Sequence, residues 1–544
     1  MAQSGDDVIV LGAGHNGLVC ACYLAAAGLR VTVLERRAVL GGTAVTEEFV
    51  PGYRNSSASY TVSLLDPKVI RDLRLVERGL RIVERPYGNF VPLEDGRCLR
   101  FGGEAATRYG DLQRLAPEDV QRLPVYYARL ERMAALLRRW VLRTPPQLGG
   151  PWIVSDSRSL VSAARLLIEY AGLGAIGQRD FVNMFTRSAG DWLDAVFSCD
   201  ALKAVLGWDS IVGNYNSPYA AGSAYVLLHH CFGAVNGKRG AWGHAIGGMG
   251  SITQLMAEEA QARGVRIERE CEVRQVLVER GQAKGVELAD GRVLRARAVA
   301  AGCNPKLLYQ NLVAPGELSE DFRAAIDRYR CGSGSFRINL ALAELPDFSC
   351  APGTGAQDHH ASGILFGSSL GAMDRAWHDA VREGHARTPI VEMLIPSVVD
   401  ETLAPRGRHV ASLFCQHFDP APPGGWDARK DGAVEAILQT VQSYCPNFRQ
   451  SILGMKAWTP LDLERTYGLV GGDIFHGQLS FNQLFSFRPL MGHARYRGPI
   501  AGLYHCGSGA HPGGGVTGAP GHNAAGEILR DWGRLRSGAK PPAP

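Results

Sequence analysis

The chain has 544 residues, enough for roughly two to three domains and a large core. Hydrophobic residues make up 46% and charged residues 20%, which excludes wholesale disorder. The net charge of +5 is too mild to point to nucleic acid, and no basic tract with interleaved aromatics occurs, so no nucleic-acid partner is expected.

Twelve cysteines are scattered without a C-x-x-C, which argues against a zinc site and a redox-active dithiol; no metal is expected. Free, mostly buried thiols in a reducing compartment follow. The opening "MAQSGDDVIV" has neither an apolar core nor an Arg-rich amphipathic pattern. A secretory signal and a mitochondrial leader are therefore not expected, and a cytoplasmic location is. No run of 18 apolar residues occurs, so no span is expected.

The first predicted element is a buried parallel strand over 8–11. Gly12, Gly14 and Gly17 then spell G-x-G-x-x-G, with Asn16 inside the motif. A helix is predicted over 18–27 with Gly28 as its stop, then a second strand over 31–34 ending at Glu35. In such a βαβ unit the first glycine allows the tight turn and the second lets a pyrophosphate approach. The third lets helix and strand pack closely. The helix N-terminus supplies free N–H groups, and Glu35 can accept both ribose hydroxyls of a dinucleotide. The motif alone leaves NAD and FAD open. Gly41 and Gly42, just past the second strand, suit a longer ligand or an ordinary turn.

The segment 129–143, "RLERMAALLRRWVLR", reads as an amphipathic helix with Leu130, Met133, Ala134, Leu137, Trp140 and Val141 on one face and a basic face opposite. It is read either as a peripheral membrane contact or as a helix packed on its own domain. Ser251 and Gln254 spell a capping box for a helix ending near Arg263. Strands are predicted over 272–278, 285–289 and 292–300, with Asp290-Gly291 as a two-residue hairpin. Gly247 to Gly250 resembles a second dinucleotide loop, but the preceding "WGHAI" is a poor strand, so no second nucleotide domain is expected.

The last informative stretch, "PIAGLYHCGSGAHPGGGVTGAPGHNAAGEILRDW", reads as a strand over 500–506, a glycine loop and a helix over 519–529. This repeats the front end: bare amides at a positive helix terminus. Such an end suits the edge of a flavin ring that becomes anionic on reduction.

These motifs, with "SASYTVSLLDP", "YVLLHH", "LIPSVVDETLAP" and "DLERTYGLVGGDIFH", resemble the phytoene desaturase-related FAD flavoproteins over nearly the whole chain. The resemblance implies an α/β fold: a Rossmann-like FAD-binding domain of glutathione-reductase type with an inserted α+β substrate domain. The FAD domain would then comprise residues 1–105, 240–310 and 485–535. The substrate domain would comprise 106–239 and 311–484, with 536–544 as a tail. By the same resemblance Gly12, Gly14, Asn16 and Gly17 take the diphosphate, Glu35 the ribose, and Arg36 lies beside the adenosine. Gly41, Gly42 and Thr43 line the ribityl path, Val273 contacts adenine, and Gly507, Gly515 and Val516 reach the flavin.

A flavin carries the hard step of such chemistry, so no strong catalytic dyad is required, and none is evident. His511 and His230 are the candidate catalytic residues, each with a structural hydrogen bond as the alternative; His229, His476, Ser59 and Tyr60 are further candidates. The expected function is hydride removal from a C–H bond of an apolar, isoprenoid or lipid-like substrate, with oxygen or a quinone as electron acceptor. The alternatives are a flavin-dependent isomerase, an amine oxidase, which requires a compact aromatic cage, and a non-catalytic FAD-bound scaffold.

Overall fold

The computed structural model describes residues 5–103, 109–148 and 157–539. Two seven-stranded sheets organise the chain. In the first, five parallel strands run in the order Arg266–Glu268, Val31–Leu34, Asp6–Leu11, Val293–Ala301, Leu503–His505. The long strand Val293–Ala301 is shared: its first residues also pair antiparallel with Gln282–Leu288, which pairs with Val273–Glu279. Val8, Ile9 and Val10 are wholly buried, as a strand covered on both faces must be.

The first helix, His15–Ala26, starts three residues earlier than the apolar pattern suggests, because Gly14 in extended conformation is its N-cap. Gly28, with φ 84°, follows its end as expected. The helix Met249–Ala262 forms without the Ser251–Gln254 capping box: Gly248 is its N-cap, and Ser251 turns back to the Gly248 carbonyl. Its free amides are instead taken by distant side chains, Met249 N–H by Ser56 Oγ and Gly250 N–H by Thr46 Oγ1, both at 2.9 Å. The hairpin at Asp290-Gly291 closes with a three-residue loop, since Leu288 N–H bonds the Arg292 carbonyl and Gly291 sits at φ 86°. The predicted strand over 500–506 shrinks to Leu503–His505, and the last helix extends over Ala519–Ser537; residues 540–544 of the tail lie outside the described residues.

The second sheet runs Ile452–Trp458, Phe336–Leu342, His409–Phe418, His385–Leu394, Gly363–Phe366, Asn89–Pro92, Cys98–Phe101. Its last two strands come from residues 89–101, so the boundary expected at residue 105 falls earlier in space: this hairpin belongs to the second sheet. One face packs Phe336, Ile338, Leu340, Leu413 and Val391 against the helix Trp426–Gln442. The opposite face looks toward the first sheet and a helical cap drawn from residues 117–148 and 157–230.

The segment 129–143 falls mostly in a longer helix, Pro117–Val141, and its apolar face is core: Leu130, Met133, Ala134, Leu137, Trp140 and Val141 are all buried. Among its arginines, Arg129 pairs with Asp180, Arg138 with Glu131, and Arg143 with Glu169. The apolar face of this helix therefore has its partners within the protein, as in the packed-helix reading.

Three contacts bind the end of that helix to the final helix and the loop before it. Asn523 donates to the Val141 carbonyl at 2.9 Å, Thr144 donates to Glu527 at 2.7 Å, and the His511 ring donates to the Trp140 carbonyl at 3.0 Å. Behind them, Arg497 bridges Glu527 and Asp531, and Tyr504 donates to Asp531. All four groups are buried, so removing one charge strands another. Asp531→Ala is expected to lower unfolding free energy by about 3 kcal/mol, read by chemical denaturation, with Asp531→Asn less severe.

Candidate functional site

One cavity of about 560 Å³ runs from the C-terminal ends of the parallel strands into the second sheet. Its wall includes Gly12, Gly14, Asn16, Gly17, Glu35, Arg36, Gly42, Thr43, Val273, Gly515, Val516 and His230 from the sequence expectations. This is the crevice beyond the carboxyl ends of the strands where open α/β sheets place ligands.

The glycines of the fingerprint divide by what a side chain would meet. At Gly17 an added Cβ would sit 2.1 Å from the Gly12 carbonyl oxygen, so close packing demands glycine. At Gly12 a Cβ would meet nothing within 4 Å, and at Gly14 only the Gly42 Cα at 3.9 Å. Protein packing therefore does not require glycine at Gly14; the space it leaves open belongs to the cavity. No side chain caps the first helix, so its leading N–H groups face that space. Glu35 is buried and accepts from Ala13 N–H and Arg37 N–H, each at 2.9 Å, which locks the glycine turn to the second strand.

Four expected residues stand outside the wall: Gly41, Gly507, His511 and His229. Gly41 (φ 119°) is pressed between the Ala44 carbonyl and Thr253 Oγ1, each 2.6 Å from where a Cβ would sit, and so serves packing behind the cavity. Gly507 would place a Cβ 2.2 Å from the Gly302 carbonyl oxygen; its neighbour Ser508 reaches the wall instead. His511 makes the structural hydrogen bond of its alternative reading, capping the long helix at the Trp140 carbonyl outside the wall, and burial pushes its pKa down to about 4. The bare loop is thereby explained mostly by packing: side chains at Gly513, Gly514 and Gly515 would strike Leu479, Phe475 and Leu64 respectively.

Of the histidine pair, His230 faces the cavity and its Nδ1 lies 2.9 Å from the Val226 carbonyl; His229 bonds the Gly514 carbonyl behind it. Burial lowers the His230 pKa to about 4, so it is neutral at physiological pH. His15 and Asn16 also line the wall, and His15 Nε2 and Asn16 Oδ1 are buried without a partner among the described residues.

The second arm of the cavity holds the candidate Tyr60 together with residues that motif reading passed over. Tyr60 stacks on Phe414 at 5.1 Å, under the Arg337 guanidinium at 4.4 Å, and its hydroxyl donates to Glu392 at 2.5 Å. Glu392 pairs with Arg85 at 3.1 Å, both side chains nearly inaccessible. Arg337 donates to the Ser57 carbonyl and Ser412, and Asn339 to the Ser56 carbonyl. Trp208, Trp242, Val205 and Val212 complete the walls, with Asp209 among them. A signal existed: "FRINLAL" and "VEML" place Arg337, Asn339 and Glu392 as charged or polar residues at alternate positions of otherwise apolar strands.

A cradle of open glycines, bare helix amides and unpartnered buried polar atoms fits a dinucleotide with a long diphosphate chain. The chain matches the family described as flavin containing amine oxidoreductase over residues 17–336 and belongs to it. It is 38% identical over 543 residues to the rat (Rattus norvegicus) pyridine nucleotide-disulfide oxidoreductase domain-containing protein 2, covering 96% of this chain and 93% of that protein. It is 26% identical to a lycopene-forming phytoene desaturase of Pseudescherichia vulneris over 94% of this chain and 96% of that one. In structure it is similar to a putrescine oxidase with a TM-score of 0.57, at 16% identity, over 98% of this chain and 99% of the other. The fold is thus mixed α/β of the flavin-dependent oxidoreductase kind, and the cofactor is a flavin, FAD.

Gly14→Val is expected to fold normally by circular dichroism yet purify without flavin absorbance. Gly17→Val is expected to lose folded protein, because its side chain meets backbone rather than ligand.

Proposed function

We propose that this flavoprotein is an oxidoreductase of the desaturase or dehydrogenase type, taking hydride from a C–H bond of a largely apolar, isoprenoid or lipid-like substrate. The bound flavin supplies the hydride acceptor. The observation that supports this reading is the continuity of the cavity: one wall joins the fingerprint glycines to the aromatic arm of Tyr60, Trp208, Trp242 and Phe414. Those rings and Val205 and Val212 pack an apolar body and exclude water around it. The parallel sheet carrying an antiparallel three-stranded extension supports the glutathione-reductase type of Rossmann-like domain. The phytoene desaturase relative supports the reaction type.

The residues assigned to cofactor keep separable roles. Glu35 orients the glycine turn and offers its carboxylate to ribose hydroxyls; Gly14 and the first helix amides receive the diphosphate. His230 is held neutral by burial and can donate or accept a hydrogen bond, not a full charge.

Oxygen or a quinone is the proposed acceptor. Support comes from the Gly247–Gly250 stretch, whose amides bond Ser56 and Thr46; a Cβ at Gly248 or Gly250 would lie within 3 Å of Thr46. That helix end is filled by protein, leaving a docked nicotinamide no place there.

An amine-oxidising reading keeps one observation in its favour, the close set of aromatic walls in the arm. Anaerobic reduction decides between them. Flavin-loaded protein is offered liposomes carrying a polyprenoid, then a panel of amines, then NADH, and the oxidised flavin absorbance is followed. Bleaching by the polyprenoid is expected. Bleaching by amines alone establishes the second reading, and bleaching by NADH alone overturns both.

We also propose a peripheral membrane contact, moved from the segment 129–143 to the helices Ser157–Ala171 and Gly174–Thr186. Leu167 and Ile168 are 67% and 71% exposed, with Leu160, Val161, Ile176 and Val182 also outward. No single helix among the described residues is long and apolar enough to cross a membrane. Exchanging Leu167 and Ile168 for serine is expected to weaken liposome co-sedimentation by roughly tenfold.

A further inference from the structure

The arm that packs an apolar body also has, in its wall, a carboxylate with no partner among the described residues. Asp209 is the C-cap residue of the helix Asp200–Trp208, where the negative end of the helix already disfavours a carboxylate. Its side chain lines the cavity beside Trp208 and Val212. Among the described residues its carboxylate makes no hydrogen bond and no ion pair. This sets it apart from the other acid in the arm, Glu392, which has Arg85 and the Tyr60 hydroxyl. The carboxylate is half-buried: protein surrounds it, and the accessible surface it keeps belongs to a residue of the cavity wall. Carboxylates withdrawn from bulk water are nearly always paired, so an unpaired one in a ligand cavity points to a partner that arrives with the ligand.

We infer that Asp209 is a specificity-determining residue: it accepts a hydrogen bond from a donor head, an alcohol or a protonated amine, at the end of a substrate whose body is apolar. The inference rests on the reading of this arm as the substrate site, and it deepens that reading by naming the polar end. The neighbouring pair shapes the selection. Arg85 is already neutralised by Glu392, and Arg337 is buried behind the Tyr60 ring and bonded to the Ser57 carbonyl and Ser412, so an anionic head would meet the Asp209 carboxylate with no unpaired cation in the cavity wall beside it.

The charged and titratable groups facing Asp209 are Glu392 and Arg85 across the arm, His230, whose ring reaches the Asp209 carbonyl, and Cys231 and Tyr126 from the helices packed behind. Burial first, and then the Glu392 charge, raise the Asp209 pKa to about 7, against the opposing effect of Arg85. The acceptor form therefore gains population as pH rises through neutrality. Because the folded-state value is raised, the stability linked to this group is complete below the ordinary aspartate range and is lost as pH rises toward 7.

The test uses flavin-loaded protein with hexylamine, 1-hexanol and hexanoate as probes, with binding read by calorimetry and by perturbation of the flavin spectrum. Hexylamine and hexanol are expected to bind, hexanoate at least about tenfold more weakly, with hexylamine affinity rising between pH 6 and pH 8. Asp209→Asn is expected to abolish that rise and reduce the amine preference by about tenfold. In addition, Asp209→Asn is expected to raise the thermal midpoint over wild type at pH 8 and not at pH 4. Hexanoate binding as tightly as hexylamine, binding by none of the three, or an unchanged preference in Asp209→Asn overturns the inference. Asp209-dependent binding that never perturbs the flavin spectrum sustains it while sinking the dehydrogenase reading of the arm.

Discussion

The molecule depends on backbone lying directly against backbone where its two ends meet. A Cβ at Gly521, in the last helix, would sit 2.1 Å from the Asn16 carbonyl oxygen, and one at Gly507 would sit 2.2 Å from that of Gly302. Strand and helix from the last forty residues can therefore close onto the first βαβ unit only because these positions carry no side chain. Once they close, Gly515 and Val516 share one cavity wall with Gly12 and Gly14. The cradle is thus a consequence of chain closure, and the buried Arg497–Glu527–Asp531 cluster and Tyr504 hold that closure from behind. Dispersion and burial drive such contacts, but the geometry is set by what has been left out.

Most of the first sheet was legible because its signals are local. Apolar runs, the fingerprint glycines, the acid at Glu35 and the helix stop at Gly28 each act within one turn or one strand. Where the reading missed, a distant partner had displaced the local one. The Ser251–Gln254 box fails because Ser56 and Thr46 reach the same amides from another segment. His511 begins a loop that points toward a ligand, yet its ring turns to the Trp140 carbonyl, 371 residues away in sequence. Gly41, Gly507 and the run Gly513 to Gly515 show the same thing differently: glycine marks close approach, and the sequence does not say whether a ligand or Phe475 is approaching.

The second arm of the cavity was the least legible part, for a reason of topology. Its residues come from a hairpin at 89–101, helices near 208 and 230, and strands at 336 and 392, which meet only through long-range pairing. Within each strand the clue is a polar residue at alternate positions. That pattern alone fits an exposed face equally well. What distinguishes this face is that it is buried: Arg337, Asn339, Ser412 and Glu392 are all inaccessible or nearly so. A strand pair fully buried on both sides, one side apolar and one side polar, has its polar side turned to a site.

That division of labour across one sheet has an energetic logic. Phe336, Ile338, Leu340 and Leu413 bury against a helix and supply the hydrophobic stabilisation of the domain. The reverse face of the same strands carries Arg337, Asn339 and Glu392, whose desolvation costs are offset by Ser57, Ser56, Arg85 and Tyr60. Because side chains alternate with period two, folding and binding are written on opposite faces and can vary independently. Asp209 is the exception within the polar set: it lies outside the sheet, at a helix end that repels its charge, with no hydrogen bond or ion pair among the described residues and only the charge of Arg85 against its desolvation. A fold that satisfies Glu392 in this arm and leaves Asp209 open keeps a local instability, and an incoming donor relieves it only when it brings its hydrogen to that carboxylate.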